Sequence, residues 1–337
     1  MVQERQLVQK IARALAPHRA TSSRRKMSSR LKIGIGDDAA VISPAGPTDW
    51  VLSCDTFLED VHFRLNTHPP DSVGYKALAR ATSDLAAMGA TPRYFLLTIA
   101  LPATRTGQWL DAFLKGMARA ARELGITVIG GDTTKSRAVF ISITVLGEIP
   151  PDRALTRSGA RPGDIIYVSG KLGRAQLGLE LVLRGQARNR QLRALVQPHL
   201  YPKVRIELGS WLAQHRIATS AMDLSDGLST DLARLCTASQ VGAKIYASKV
   251  PSATIPPQAA RKLGQRKLDP LQLALHGGDD YQLLFTIPPR QAKKLSRAPG
   301  ASTLTAIGKI TRNRELILVA NDGREKPLKS HGWDPFR

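Results

Sequence analysis

The segment EIPPDRALTRSGARPGD, Glu148 to Asp164, puts Pro150, Pro151, Gly159, Pro162 and Gly163 near the middle of a 337-residue chain. Proline lacks the donor and glycine lacks the restraint that a continuous helix or strand needs, so regular structure must stop and restart here. Before the break, WVLSCD, YFLLTIALP, ITVIGGD and AVFISITVLGE read as strands, with helical patterns in SVGYKALARATSDLAAMG and GQWLDAFLKGMARAARELG between them. After it, DIIYVSG, YQLLFTIP, LTAIGKI and ELILVA read as strands, KLGRAQLGLELVLR as a helix, and ATSAMDLSDGLSTDLARL as strand, acidic turn and helix. The pattern predicts a mixed α/β protein of two units, residues 1–150 and 151–337. An amphipathic helix with Leu7, Ile11 and Leu15 on one face, followed by a basic serine-rich loop, is expected at the start.

Several function classes are set aside by composition. No apolar run approaches the roughly 18 residues of a membrane span, and the opening residues lack the apolar block of a secretion signal, so the cytoplasm is the expected compartment. Cys54 and Cys236 have no CxxC or Cys/His spacing, which speaks against a disulfide framework or a structural zinc site. The formal net charge of +22 calls for polyanionic company. The basic residues are scattered, however, apart from RATSSRRKMSSR, and no aromatic-interleaved nucleic-acid motif is present. Phosphorylated small molecules fit that balance better than nucleic acid does.

Against this basic background, aspartates recur at the ends of apolar runs beside Gly, Ser or Thr: GIGDD, LSCDT, IGGDTT, MDLSDG and HGGDD. Short carboxylates on tight turns hold oxygen donors close to the backbone, which suits hard cations such as Mg²⁺. Taken singly, Asp223 and Asp226 also fit helix-start residues, and Asp132 fits a turn. Asp84 is harder to place, because it falls in the last turns of a helix, where the macrodipole disfavours a carboxylate and a neighbouring positive charge is expected. No GxxxxGK[ST] and no strand-to-helix GxGxxG is present; GKLGRAQLG, with Lys171 and Arg174 near a helix start, is a weak phosphate signal. A nucleotide would therefore be held mainly through metal ions on carboxylates.

GIGDDAAVI, SCDTFLEDVHF, ATSDLAAMGATP, IGGDTTKS, RALTRSGARPGD, MDLSDGLSTDL and HGGDDYQLLF, in that order, resemble the bacterial thiamine-monophosphate kinase family. Its superfamily also holds aminoimidazole ribonucleotide synthetase, selenophosphate synthetase and the hydrogenase-maturation protein HypE. The resemblance implies a two-domain aminoimidazole ribonucleotide synthetase-like fold that dimerises through its N-terminal sheets. It also implies ATP as co-substrate, several Mg²⁺ ions, and transfer of a phosphoryl group to thiamine monophosphate, giving thiamine diphosphate. Position by position, it places Asp38, Ser53, Cys54, Asp55, Asp84, Asp132, Asp223 and Asp226 on metal positions. Gly131, Asp132, Arg157 and Ser225 fall on ATP contacts, and His62, Asp279 and Trp333 on substrate contacts. Asp37 falls beside them as a residue that shapes the turn.

Three positions depart from the family pattern: Cys54 stands where Thr is common, Asp279 where Glu is, and Asp60 where Gly is. Among the alternatives, a selenophosphate synthetase would carry a reactive Cys before Cys54, and a HypE-like protein a C-terminal Cys in place of DPFR. An aminoimidazole ribonucleotide synthetase-like enzyme stays open at this point, as does a basic nucleic-acid binder on the same fold.

Overall fold

The computed structural model describes residues 6, 9, 30–44, 46–264 and 268–335. The expected helix carrying Leu7, Ile11 and Leu15, and the basic loop after it, lie outside the described residues. Two sheets organise the rest.

The first sheet has the order β1-β2-β3-β6-β4-β5, with β1 Leu31–Ile33, β2 Ala40–Ile42, β3 Asp49–Leu58, β4 Thr91–Leu101, β5 Thr127–Lys135 and β6 Phe140–Ile149. Its neighbours are antiparallel except β4 and β5, which run parallel. Strand β6 shows why it is central: Ile141, Ile143, Val145 and Ile149 point inward at a period of two, each nearly inaccessible to water. Strand β5, at the edge, is exposed along its whole length.

Two helices, α1 Pro70–Ala87 and α2 Gln108–Leu124, pack together. In α2, Trp109, Phe113, Met117, Ala120 and Leu124 form one buried stripe, and the helix stops at Gly125 in the left-handed region (φ 64°). Helix α1 is buried along most of its length, Arg80 and Asp84 being the residues of its middle and end that reach the cleft. Its crossing with α2 is so close that a Cβ on Gly74 would lie 2.0 Å from the Phe113 carbonyl oxygen, and one on Gly116 would lie 1.8 Å from that of Asp71.

The second sheet has the order β13-β12-β9-β11-β7-β10-β8. Its strands are β7 Ile165–Val168, β8 Ser220–Leu224, β9 Gly242–Tyr246, β10 Gln282–Ile287, β11 Thr305–Thr311, β12 Leu316–Val319 and β13 Glu325–Pro327. Helices α3 Arg174–Val182, α4 Arg193–Leu200, α5 Ile206–Gln214, α6 Leu228–Ser239, α7 Pro257–Leu263 and α8 Pro270–His276 accompany it.

The largest apolar core joins the two halves rather than serving one. It runs from the inner face of the first sheet through Leu78 and Leu85 of α1 to Leu208 and Leu212 of α5 and Phe285 of β10. Helix α1 therefore lies between the sheets, with one side against β3 and β6 and the other against α5 and β8. Among the described residues, no helix is long and apolar enough to cross a membrane.

Candidate functional site: a cleft with an acidic end and a paired end

Between the halves opens a cleft of about 1050 Å³. Of the residues singled out from the sequence for metal, nucleotide and substrate, all but Gly131 and Asp132 line it.

At one end three carboxylates converge. Asp38 follows the glycine turn before β2, Asp84 lies in the last turn of α1, and Asp223 is the next-to-last residue of β8; one oxygen from each lies within 4.8 Å of the others. The local hydrogen bonds orient these groups without neutralising them all. Arg157 donates through Nε (3.1 Å) and Nη2 (2.5 Å) to Asp38 Oδ1, while Asp38 Oδ2 is buried and has no partner. Ser53 donates to Asp84, and Ser83 donates to Asp223 at 2.6 Å.

Burial, with Asp38 close by, pushes Asp223 up to about 7. Burial and the charges of Asp55, Asp223 and Asp38 hold Asp84 well above the usual carboxylate range, and burial raises Asp38 despite Arg157. Withdrawn like charges of this kind are relieved by a cation, and an orphaned carboxylate oxygen facing two others is a donor set that fits Mg²⁺. The side-chain hydrogen-bond partner of Asp84 is the Ser53 hydroxyl, and the charges that act most on it are those of Asp55, Asp223 and Asp38.

The surrounding residues build this end. Asp37 accepts the backbone N–H of Arg157 (3.1 and 3.2 Å) and that of Asp38 (3.1 Å), tying the glycine turn to the connecting segment; burial and Asp38 raise it to about 6. Asp226 lines the cleft but is held by Arg234. Neither Asp223 nor Asp226 starts α6. Gly227 caps it, and Asp231 instead reaches back to the N–H groups of Asp226 and Gly227 (3.0 Å each). Cys54 is exposed on β3 and accepts from Thr144 Oγ1 at 3.4 Å. Asp55 belongs to the same wall but is paired, since Arg80 Nε donates to it at 3.0 Å.

At the other end, Asp279 is held by Lys76 Nζ (2.7 Å) and the Tyr281 hydroxyl (2.7 Å). Lys76 is buried in α1 and also meets His199 Nδ1 (3.2 Å), whose Nε2 lies 3.1 Å from His68 Nε2. Burial alone would raise Asp279, but Lys76, His199 and Arg80 outweigh it and hold the carboxyl far below its ordinary range. His62 accepts the Leu58 N–H at 3.0 Å, and burial with Arg80 nearby lowers it to about 4, so it is neutral near pH 7. Ser225 fixes the HGGDD turn through its carbonyl, which accepts the Asp279 N–H at 2.7 Å. Trp333 is 48% exposed over the cleft, and its backbone N–H donates to the Asp226 carbonyl at 3.0 Å.

Gly131 and Asp132 are not brought to this site within the chain. They sit on the exposed edge strand β5, where a Cβ on Gly131 would lie 1.8 Å from the Leu97 carbonyl oxygen of β4. The weak phosphate signal in GKLGRAQLG is also resolved: Asp280 fills the start of α3, accepting from Gly173 N (2.5 Å) and Ala175 N (3.0 Å). Sequence reasoning missed Lys76, Arg80, His68, His199 and Asp231. For the first two a signal existed, since Lys76, Arg80 and Asp84 follow one another at four-residue spacing on one helix face.

With this geometry in hand, comparison with known proteins is informative. The family described as AIR synthase related protein, N-terminal domain, matches residues 36–149, and its C-terminal domain counterpart matches 161–321. Thiamine-monophosphate kinase of Escherichia coli K12 is 36% identical over 323 residues, covering 93% of this chain and 95% of the relative. That of Synechococcus elongatus is 34% identical, covering 89% and 91%. A solved structure described as AaThiL complexed with AMPPCP and TMP superposes with a TM-score of 0.83 at 32% identity, covering 98% of this chain and 96% of its own. An extended match of this kind, over both halves and with the acidic cleft between them, means that the chain belongs to the thiamine-monophosphate kinase family of AIR synthase related proteins.

Proposed function

We propose that the protein transfers the γ-phosphoryl group of ATP to the phosphate of thiamine monophosphate, producing thiamine diphosphate and ADP. The observation that carries this reading is the convergence of Asp38, Asp84 and Asp223 in a cleft large enough for two phosphorylated ligands. A relative of the same fold that holds AMPPCP and TMP together supports it.

The acceptor phosphate is already anionic near neutral pH, so no side chain has to remove a proton from it. The barrier is repulsion between two anions, which positioning and charge neutralisation lower. Asp38, Asp84 and Asp223, with Ser53, Cys54, Asp55 and Asp226 around them, would hold Mg²⁺, and the ions supply the charge neutralisation that the phosphates need. Arg157 keeps Asp38 oriented and presents the rest of its guanidinium to the nucleotide side. Asp279, neutral His62 and Trp333 bind the thiamine part, the indole offering a flat face to an aromatic ring.

In the same reading the protein is a homodimer paired through its first sheets, with residues 1–150 and 151–337 as its two domains. The exposed edge β5 supports the pairing: Val128 and Ile129 are each 54% accessible there, and Asp132 and Gly131 have a role at a nucleotide site only if a second copy brings β5 to one.

The test is Mg²⁺-dependent ADP formation with thiamine monophosphate, thiamine or an aminoimidazole precursor as acceptor. Turnover confined to thiamine monophosphate is the expected result; a protein that is active on the aminoimidazole precursor and indifferent to thiamine monophosphate would overturn the reading.

A further inference from the structure

On one face of α1, Lys76, Arg80 and Asp84 succeed one another turn by turn. Asp84 belongs to the carboxylate trio and Lys76 is committed to Asp279. Arg80, between them, faces the cleft with its side chain 18% exposed. Its Nε donates to Asp55 at 3.0 Å, and its guanidinium carbon lies 5.4 Å from the centre of the Phe57 ring. These two contacts fix the plane of the group. Among the described residues the bond to Asp55 is its only hydrogen bond, so the four N–H donors on its two terminal nitrogens have no protein acceptor.

The other cations of the wall are placed differently. Arg157 gives a forked pair of bonds to Asp38, Arg234 is held by Asp226 and Asp231, and Arg64 is exposed at the rim. His62 is neutral and offers no charge. A planar, permanently charged fork with unspent donors is matched chemically by a phosphate monoester, which accepts two parallel N–H bonds.

We propose that Arg80 binds the phosphate of the acceptor substrate, one helical turn (about 6 Å) from the carboxylates that serve the nucleotide's phosphates. The inference rests on the functional reading above and deepens it. Asp55 and Phe57 then act as positioning residues for Arg80, and the spacing along α1 sets how far apart the two anions are held.

The experiment is calorimetric titration of thiamine monophosphate and of thiamine into protein saturated with Mg²⁺ and a non-hydrolysable ATP analogue. It compares wild type with Arg80→Gln, Arg80→Lys and Arg64→Gln. Wild type is expected to prefer thiamine monophosphate by about 10- to 100-fold, the range for charged hydrogen bonds. Arg80→Gln should bring that preference close to one and leave thiamine affinity within about twofold, and Arg80→Lys should give an intermediate value.

A preference kept in full by Arg80→Gln, or abolished by Arg64→Gln instead, would overturn the proposal. So would equal weakening of both ligands by Arg80→Gln, which is what a merely structural role gives. Should Arg80→Gln not fold, Arg80→Lys decides, an unchanged preference sinking the idea. Turnover is read separately. A wild type that binds the phosphate through Arg80 but makes no ADP from thiamine monophosphate would remove the functional reading and leave the phosphate clamp standing.

Discussion

The two ends of the cleft withdraw carboxylates from water in opposite ways. At the acidic end Asp38, Asp84 and Asp223 face one another, and all three are raised above the ordinary carboxylate range. At the other end Asp279, only partly withdrawn from solvent, is held far below it because Lys76 reaches it from inside α1. Burial alone does not decide the charge of an acid; its partner does. The paired end is finished within the chain, whereas the acidic end is electrostatically incomplete until a cation arrives.

Removing one acid from the incomplete end should show the largest effect. Asp223→Asn is expected to lower kcat/KM for thiamine monophosphate by about 100-fold or more, the scale of several kcal/mol of lost charge stabilisation. The same change should raise the melting temperature of metal-free protein, because it removes one of the mutually repelling charges. A steady-state assay beside a thermal scan checks both directions, and a fall in both would erase the contrast between the ends.

At the finished end the pair should respond unequally. Asp279→Asn leaves the Lys76 ammonium buried without a counter-charge and should cost about 2–3 kcal/mol in denaturant unfolding, somewhat less than a fully buried pair. Lys76→Met leaves a carboxylate that is 31% exposed and that water can reach, and should cost less than half as much. Equal costs would mean that Lys76 is not the residue that depends on the pair.

The ends should also titrate in opposite senses. Asp223, at about 7 in the folded chain, takes up a proton that the unfolded chain does not hold above its ordinary 3.8, so its contribution to stability is full below about 4 and lost as pH rises through 7. His68, buried and lowered to about 4 from its ordinary 6.5, does the reverse: its contribution is full above 6.5 and lost as pH falls through 4. In metal-free wild type the two oppose each other between pH 7 and 5. Asp223→Asn should therefore lose stability more steeply on acidification over that range, by about 1–2 kcal/mol. The smallest effect is expected at the rim, where Cys54→Thr, on an exposed site, should change stability by no more than about 0.5 kcal/mol.

Much of this architecture was legible before any coordinates. The period-two run in AVFISITVLGE and the stripe from Trp109 to Leu124 are local signals, and both elements formed as expected. The trio was legible as well, because short acids on tight turns are unusual unless something gathers them. The paired end was not. Lys76, His68 and His199 come from α1, a loop and α4, and nothing local announces that a lysine in an apolar helix will meet an aspartate more than 200 residues away. The residue departing from the family glycine, Asp60, proves to adopt φ 63°, a left-handed conformation that glycine fills freely and aspartate tolerates. The positive charge that the dipole argument asks for beside Asp84 is met by no side chain that bonds to it, because the helix end is aimed into a cleft whose other walls are acidic, and in the proposed reading Mg²⁺ takes that place.

Because α1 is clamped between the two sheets, it works as a ruler whose graduations are backbone pitch. Substitutions can change what stands at each mark, but one residue inserted between Arg80 and Asp84 would swing them about 100° apart around the axis and leave the two facing different walls. Within this helix the identity of a side chain can change without moving its neighbours, whereas the count of residues between them cannot.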